Sequence, residues 1–487
     1  MEVKKDTGVV LVSNRGPVSF IERDNAFEFK PGAGGLSGAM DPVARELGEE
    51  AVWIAAATSE TDRKALAAGE VDQLAKELGY RVHLLDIDPE IYSRYYDVVS
   101  NRMLWFANHC LWDELGIGGF GQAELEAWES AYVPVNEVFA SAVLEEVEAH
   151  DLILFQDYHL AVAPRLVREQ RPEQMIFHFT HSSFCSEGYD SLPEPVRKGV
   201  IEGLLGANLL GFHVDAWVNE FIDCCEKTGY SIDRERGCIE HDGATTWVRA
   251  YPIPIDAAGL QQLAGSETVR VWGDRFLEEV SGPAVVRADR TEPSKNIVRG
   301  FEAFGALLDR REDLRDVTFF ACLYPSRQSM AEYRNYLEKI NDTITRVNDR
   351  HPDSIRMFLK DDYERTLGAL SIYDVLLVNP IMDGMNLVSK EGVAVNRRGG
   401  ALVLSKGAGS FDELEDYAVK IEDALDIEET ASAIERALEM TKDERRTALE
   451  GARALVESIK PEHWIYSQID DLEAIAESGE PRSPASD

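Results

Sequence analysis

The chain has few cysteines, few basic residues and no long apolar run. Its six cysteines in 487 residues are Cys110, Cys185, Cys224, Cys225, Cys238 and Cys322, with no C-x-x-C pair and no Cys/His cluster at zinc-like spacing. So sparse a set argues against a disulfide framework and fits a reducing compartment, the cytoplasm. Lys and Arg number 50 against 88 Asp and Glu, and the net charge of −38 argues against a nucleic-acid groove or an anionic membrane surface as partner. The acids are scattered rather than gathered in one tail. No stretch approaches the roughly 18 apolar residues of a membrane span. The opening "MEVKKDTG" carries no apolar segment of signal-peptide length. A phosphate-bearing substrate would therefore need a locally basic pocket inside a repulsive field.

What is present is alternation. Short apolar runs read as strands: Val9–Asn14, Ala51–Ala56, Arg81–Ile87, Leu152–Asp157, Met175–Thr180 and Leu209–Val214 in the first half. "AVVRAD", "VTFFACLY", "IRMFLKD", "DVLLVNP" and "ALVLSK" follow in the second. Helical spacing fills the gaps, so the pattern predicts βαβ units and mostly parallel sheets. The length predicts two domains of roughly 200 to 250 residues. The proline-bearing stretch Val248–Asp256 reads as their connector, which sets domains at 1–250 and 251–460. An amphipathic helix is expected over 461–476, and a small, polar, disordered tail over 477–487. Ligands of such folds bind beyond the carboxyl ends of the strands, so the residues there are the ones to inspect.

After the first strand come Arg15 and a glycine turn, Gly34 and Gly35, opening a helix near Leu36. Backbone N–H groups at such a turn can approach an anion. The segment "YYDVVSNRMLWFANH" carries Tyr96 and Trp105 and is neither a clean strand nor a clean helix; its aromatics suit a core or the face of a sugar ring. Asp157 and His181 close two strands, where a carboxylate and an imidazole suit acid/base or hydroxyl-binding roles. Arg290 and Lys295 flank a strand-to-helix turn, well placed to neutralise a diphosphate, with Arg287 and Arg299 nearby and Arg327 past the next strand. "NPIMDGMNLVSKEG" sets Asp383 and Glu391 about another such turn. "DID" at Asp86–Asp88 is a D-x-D string that reads as incidental.

These pieces, in this order, resemble the trehalose-6-phosphate synthase family, across nearly the whole chain. The most specific segments are "DGMNLVSKEG", "DYHL", "LLGFH" and the tyrosine–tryptophan pair nine residues apart. The resemblance implies an α/β fold of the GT-B type, two Rossmann-like doubly wound domains facing across a cleft. The first would be the acceptor side and the second the nucleotide-sugar donor side, with the closing helix returning toward the first. It implies an acceptor site at Arg15, Tyr96, Trp105, Asp157 and Arg327. It implies a donor site at Gly34, Gly35, Arg290, Lys295, Asp383, Gly384, Met385, Asn386, Leu387, Val388 and Glu391. Catalysis would fall to Asp157, His181, Arg290, Lys295 and Asp383, with no metal and no cofactor.

The implied reaction moves glucose from UDP- or GDP-glucose to glucose 6-phosphate, with retention, giving trehalose 6-phosphate. The leaving diphosphate would accept the acceptor's proton. The resemblance also implies a cytoplasmic homo-oligomer. Three departures stand out: "HSSFC" where the family reads "HIPFP", "RTEPSKN" for "RLDYSKG", and "SNRGPV" for "NRLPV". They leave the nucleotide base and the acceptor open, so glycerol 3-phosphate or a cyclitol phosphate is an alternative acceptor. A non-catalytic sugar-phosphate sensor is the alternative from another class, and it should have lost Arg290, Lys295 or Glu391, which are all present.

Overall fold

Strands that are covered by helices on both faces read as unbroken apolar runs rather than as alternating ones. That is the pattern here: Ala51–Ala56 and Leu152–Gln156 are buried at every position, and Val9–Arg15 at all but its last. The computed structural model describes residues 8–24, 26–32 and 35–482. The chain forms two units, Met1–Ile253 with Pro461–Asp487, and Pro254–Lys460.

In the first unit the strands are β1 (Val9–Arg15), β2 (Val18–Arg23), β3 (Ala26–Pro31), β4 (Ala51–Ala56), β5 (Arg81–Leu85), β6 (Leu152–Gln156), β7 (Met175–Phe179), β8 (Leu209–Phe212), β9 (Ser231–Asp233), β10 (Cys238–His241) and β11 (Ala244–Ala250). Nine of them form one sheet in the order β5-β4-β1-β6-β7-β8-β11-β10-β9, parallel from β5 to β11. β2 and β3 pair separately as an antiparallel hairpin. The second unit holds β12 (Ala284–Arg290), β13 (Thr318–Tyr324), β14 (Ile355–Leu359), β15 (Val375–Val378), β16 (Ala401–Ser405) and β17 (Ala418–Ile421). They form an all-parallel sheet in the order β14-β13-β12-β15-β16-β17. One face of it packs Val285, Phe319 and Leu377 against Phe301, Phe304 and Leu307 of the helix Ile297–Arg310.

Several expectations are corrected. Val248–Ala250, read as connector, completes β11 and pairs in parallel with Leu210–Phe212 of β8; residues without regular structure begin at Tyr251. Two prolines masked the strand because they sit just past its last pairing, at 252 and 254. The segment that looked like neither strand nor helix is a wide-turned π-helix, Arg94–Leu104, running into the helix Trp105–Asn108. Such turns shift the side-chain period away from 3.6 and are frequent at functional sites. The last helix runs over Pro461–Ser478, so Glu477 and Ser478 of the expected tail are helical. Beyond it the Arg482 amide donates to Asp471 at 3.0 Å, while residues 483–487 lie outside the described residues. Among the described residues no helix is long and apolar enough to cross a membrane.

The sulfurs need a correction too. Cys110 and Cys185 form a disulfide across 75 residues of chain, while Cys224, Cys225, Cys238 and Cys322 are buried thiols. Composition could not foresee it, because a bridge depends on how close the fold brings two Cβ atoms. It ties the end of the Trp105–Asn108 helix to the loop after β7. Closing a loop of that length stabilises a native state by about 2–4 kcal/mol. Cys110→Ser should therefore lower the thermal midpoint, and non-reducing peptide mapping should recover the Cys110 and Cys185 peptides joined; separate peptides and an unchanged midpoint would refute the bridge.

Candidate active site

In a doubly wound sheet the strand order reverses at one place, and a crevice opens there at the carboxyl edge. In the first unit the reversal falls between β1 and β6, and in the second between β12 and β15. Arg15 and Asp157 end up at the first switch point; Arg290 and Lys295, with Asp383 to Asn386, at the second.

At the second switch point the Lys295 ammonium bonds the Asp383 carboxylate, with only 11% and 16% of the two side chains exposed. Burial alone would lower the Lys295 pKa, but Asp383 and Asp289 outweigh it and hold it above its usual value. The lysine turn is itself anchored: the fully buried Arg287 guanidinium pairs with Asp289 at 2.8 Å and donates to the Lys295 carbonyl at 2.9 Å. Gly300 leaves room for it, since a Cβ there would lie 2.5 Å from Arg287 Nη1. The Asn386 amide donates to Asp383 at 2.9 Å and its carbonyl oxygen caps the helix Leu387–Val395 at the Ser389 N–H. Asp383 is fixed from behind, its N–H donating to the Gly407 carbonyl at 2.8 Å. Gly384 and Met385 are buried under the next glycine, where a Cβ on Gly409 would meet the Gly384 carbonyl at 2.1 Å. Leu387 and Val388 open the helix, so their N–H groups belong to the set that a helix itself leaves without partners. Glu391, one turn on, accepts from the Tyr363 hydroxyl at 3.2 Å, and burial raises its pKa.

Arg290 and Arg327 meet on one acid. Glu292, fully buried, lies 3.3 Å from Arg290 Nη1 and 3.5 Å from Arg327 Nη1. Arg327 also donates to the Tyr333 hydroxyl at 2.5 Å.

At the first switch point Arg15 donates to the Tyr96 hydroxyl at 3.1 Å. Tyr96 stacks on His159 with centroids 5.6 Å apart, His159 on Tyr158 at 4.2 Å, and Tyr158 packs against Trp105 at 5.9 Å. The two aromatics expected at an acceptor site thus lie on one continuous aromatic run. Asp157 receives the His181 amide at 3.2 Å and faces His159 Nδ1 at 3.6 Å. Burial would raise the Asp157 pKa, but His159, His181 and a neighbouring amide outweigh it and hold the carboxyl well below its usual range. His181 Nε2 donates to Gln156 Oε1 at 2.9 Å, and burial lowers the His181 pKa to about 4, so the imidazole is neutral at neutral pH.

Gly34 lies outside the described residues, and Gly35 is the first residue of the helix Gly35–Leu47. The D-x-D string has a local use: Asp88 caps the helix Pro89–Ser93 through the Glu90 and Ile91 amides. Sequence reasoning passed over Glu292, Asp289, His159, Gln156 and Tyr333. The one signal for Glu292 is an acid set between Arg290 and Lys295 in a turn otherwise read for its cations. Among the described residues no group of three or more His, Cys, Asp or Glu side chains is arranged to hold a metal ion.

Two doubly wound units in one chain are the architecture of GT-B glycosyltransferases, and the match to a glycosyltransferase family makes the protein an enzyme of that class. It belongs to glycosyltransferase family 20, which matches residues 7–474. Among characterised relatives, it is 30% identical over 483 residues to the trehalose-6-phosphate synthase of Mycolicibacterium vanbaalenii, covering 95% of each chain. It is 29% identical over 435 residues to the validamine 7-phosphate valienyltransferase of Streptomyces hygroscopicus subsp. jinggangensis, covering 87% of this chain and 85% of the other. A solved E. coli structure bound with UDP-2-fluoro glucose superposes with a TM-score of 0.81 at 23% identity, over 98% of this chain and all of that one. At that identity the likeness speaks for the fold.

The histidines beneath Asp157 make a pH prediction. His178 is 1% exposed, donates from Nε2 to the Asp157 carbonyl, and burial lowers its pKa from 6.5 to about 4. Between those values the unfolded chain binds the proton and the folded chain does not. Stability therefore falls as pH drops through that window, by roughly 3 kcal/mol at most for this one residue. Denaturant midpoints should decline from pH 7 to pH 4.5, and His178→Gln should flatten the decline; an equal slope in the variant would contradict this account.

Proposed function

We propose that the protein is a retaining glucosyltransferase that moves glucose from a nucleoside-diphosphate glucose, UDP- or GDP-glucose, to glucose 6-phosphate and releases trehalose 6-phosphate. The observation that carries this reading is the Lys295–Asp383 pair at the switch point of the second unit, beside the start of the helix Leu387–Val395. A cation from the turn after β12 meets a carboxylate and helix N–H groups from the turn after β15, and together they are the set a sugar diphosphate requires. Membership of family 20 and the named activity of the Mycolicibacterium relative support the same reaction.

On this reading the second unit serves the donor. Arg290, Lys295 and the N–H groups of Leu387 and Val388 take the diphosphate, Asp383 with the Gly384–Asn386 backbone takes the glucose, and Glu391 takes the ribose hydroxyls. The first unit serves the acceptor through Arg15, Tyr96, Trp105 and Asp157, and Arg327 adds a contact to the acceptor phosphate. The bond from the glucose anomeric carbon to the diphosphate breaks, and a bond to the acceptor oxygen forms on the same face. The departing diphosphate takes the acceptor proton. His181, neutral at the operating pH, can hydrogen-bond the sugar without adding a charge that would compete with the leaving group. Catalysis is then positioning plus charge stabilisation, and the reading calls for no metal or cofactor. It includes a cytoplasmic location and a homo-oligomeric state.

A second reading keeps the donor and changes the acceptor to a cyclitol phosphate. It is favoured by the Streptomyces relative, which is named for validamine 7-phosphate.

Incubation with UDP-, GDP- and ADP-glucose plus glucose 6-phosphate should yield a disaccharide phosphate with at least one donor. No product from any donor would sink the leading reading, and turnover with a cyclitol phosphate alone would select the second. Lys295→Ala should reduce kcat by a factor of about 100 or more, the scale of losing one preorganised charge. Near-normal turnover would remove Lys295 from the leaving-group role.

A further inference from the structure

Glu292 is a residue that neither the reaction nor the family resemblance uses, yet it sits under two residues that both use. Its side chain is fully buried, and Oε1 accepts from the Ser326 hydroxyl at 2.7 Å and faces Arg290 Nη1 at 3.3 Å and Arg327 Nη1 at 3.5 Å. Oε2 is buried without a hydrogen-bond partner among the described residues. Burial pushes the Glu292 pKa up, but Arg290, Arg327 and Lys295 pull harder and the carboxyl stays below its usual value, ionised at neutral pH.

The backbone around it is built to hold this place. β12 and β13 run in register, Arg290 opposite Tyr324. Past that rung the Thr291 N–H donates to the Tyr324 carbonyl at 2.8 Å, and the Ser326 N–H donates to the Thr291 hydroxyl at 3.2 Å. Arg327 then adopts a left-handed backbone, φ +42°, a conformation that a non-glycine residue keeps only when its surroundings impose it. Its guanidinium lies 5.4 Å from the centroid of the Tyr333 ring, whose hydroxyl it meets. A buried ion pair is poor value as a stabiliser, because desolvation of the charges offsets most of the attraction. Replacing such a charged group as a whole by apolar residues often costs a fold nothing. What the acid supplies is a fixed direction for two guanidinium groups.

We infer that Glu292 is a positioning residue for both substrates: one buried carboxylate holds Arg290 toward the donor diphosphate and Arg327 toward the acceptor phosphate. The inference rests on the roles of those arginines given under the proposed function. It makes the two binding sites share a counter-ion, so that loss of one acid weakens both.

The test measures KM for each substrate at saturation of the other, in the full-length wild type, Glu292→Gln, Arg327→Gln and the double variant. Glutamine keeps the volume and the Ser326 hydrogen bond and removes the charge. Glu292→Gln should raise both KM values about tenfold, the scale of one charge-assisted contact. Because the acid acts on the acceptor through Arg327, the double variant should show the acceptor KM of Arg327→Gln alone. Multiplied single effects would mean independent roles and overturn the inference. So would a wild-type KM for either substrate in Glu292→Gln while Arg327→Gln raises the acceptor KM; the function would then stand without it. If Arg327→Gln leaves the acceptor KM unchanged, the role of that arginine in the proposed function fails, and this inference with it. Should Glu292→Gln not fold, Glu292→Asp keeps the charge but withdraws it by one methylene. It must then raise both KM values at a near-native thermal midpoint, and wild-type values would refute the inference.

Discussion

Lys295 against Asp383 is the contact on which the second unit's site depends. An ammonium with so little exposure would lose its charge to desolvation unless an anion stood beside it. In a chain of net charge −38 the reverse problem also applies, since the surrounding field repels the phosphates that the proposed reaction would bring to the site. Alternation answers both. Arg287, Asp289, Lys295 and Asp383 follow one another as cation, anion, cation, anion, from the floor of the sheet to the strand end. Each charge is neutralised by its neighbour, and the last anion is also held by the Asn386 amide. The site therefore keeps its cation charged and oriented without a large local excess of positive charge.

The order of the strands explains why these groups converge. β12 and β15 are neighbours in space but lie 91 residues apart at their first positions, with β13 and β14 built outward on the other side of β12. Chain leaving β12 and chain leaving β15 must turn to opposite faces of the sheet, which opens the gap between them. The "RTEPSKN" and "DGMN" turns both empty into that gap. Neither turn is a complete site alone: the first brings cations, and the second brings a carboxylate and a capped helix start.

Much of this was legible in the sequence, and for a physical reason. Strands covered on both faces must be apolar throughout, so β1, β4, β6, β12, β13 and β15 stand out as runs, and the residues after them can be named without a structure. The hairpin β2–β3 was not visible, because its strands are largely exposed and carry no such run. β17 was missed because four residues, three of them half-buried, are too few to show a period. The π-helix was unreadable because its turns do not keep the 3.6-residue spacing on which helix recognition rests. Glu292 was passed over for another cause. Its importance lies in being the counter-ion of Arg327, which is 35 residues away and reaches it only once β12 and β13 pair in register.

The backbone carries information that no residue pattern announced. Asp157, Asn296, Arg327 and Asn386 all have positive φ, and each stands at a turn after a strand in one of the two crevices. Asp157, at φ 73° and ψ 162°, is in a region that is nearly reserved for glycine. Such conformations cost about 1–3 kcal/mol each, and glycine would remove the cost. Glycine would also remove what each side chain does there. Asp157 would no longer receive the His181 amide, Asn386 would no longer cap its helix or hold Asp383, and Arg327 would no longer face Glu292. Asn296, whose amide donates to the Ala424 carbonyl at 2.6 Å, would release the start of the helix behind Lys295. The strain persists because at these four positions the turn and the side chain are both required, and no other residue type supplies the two together without it.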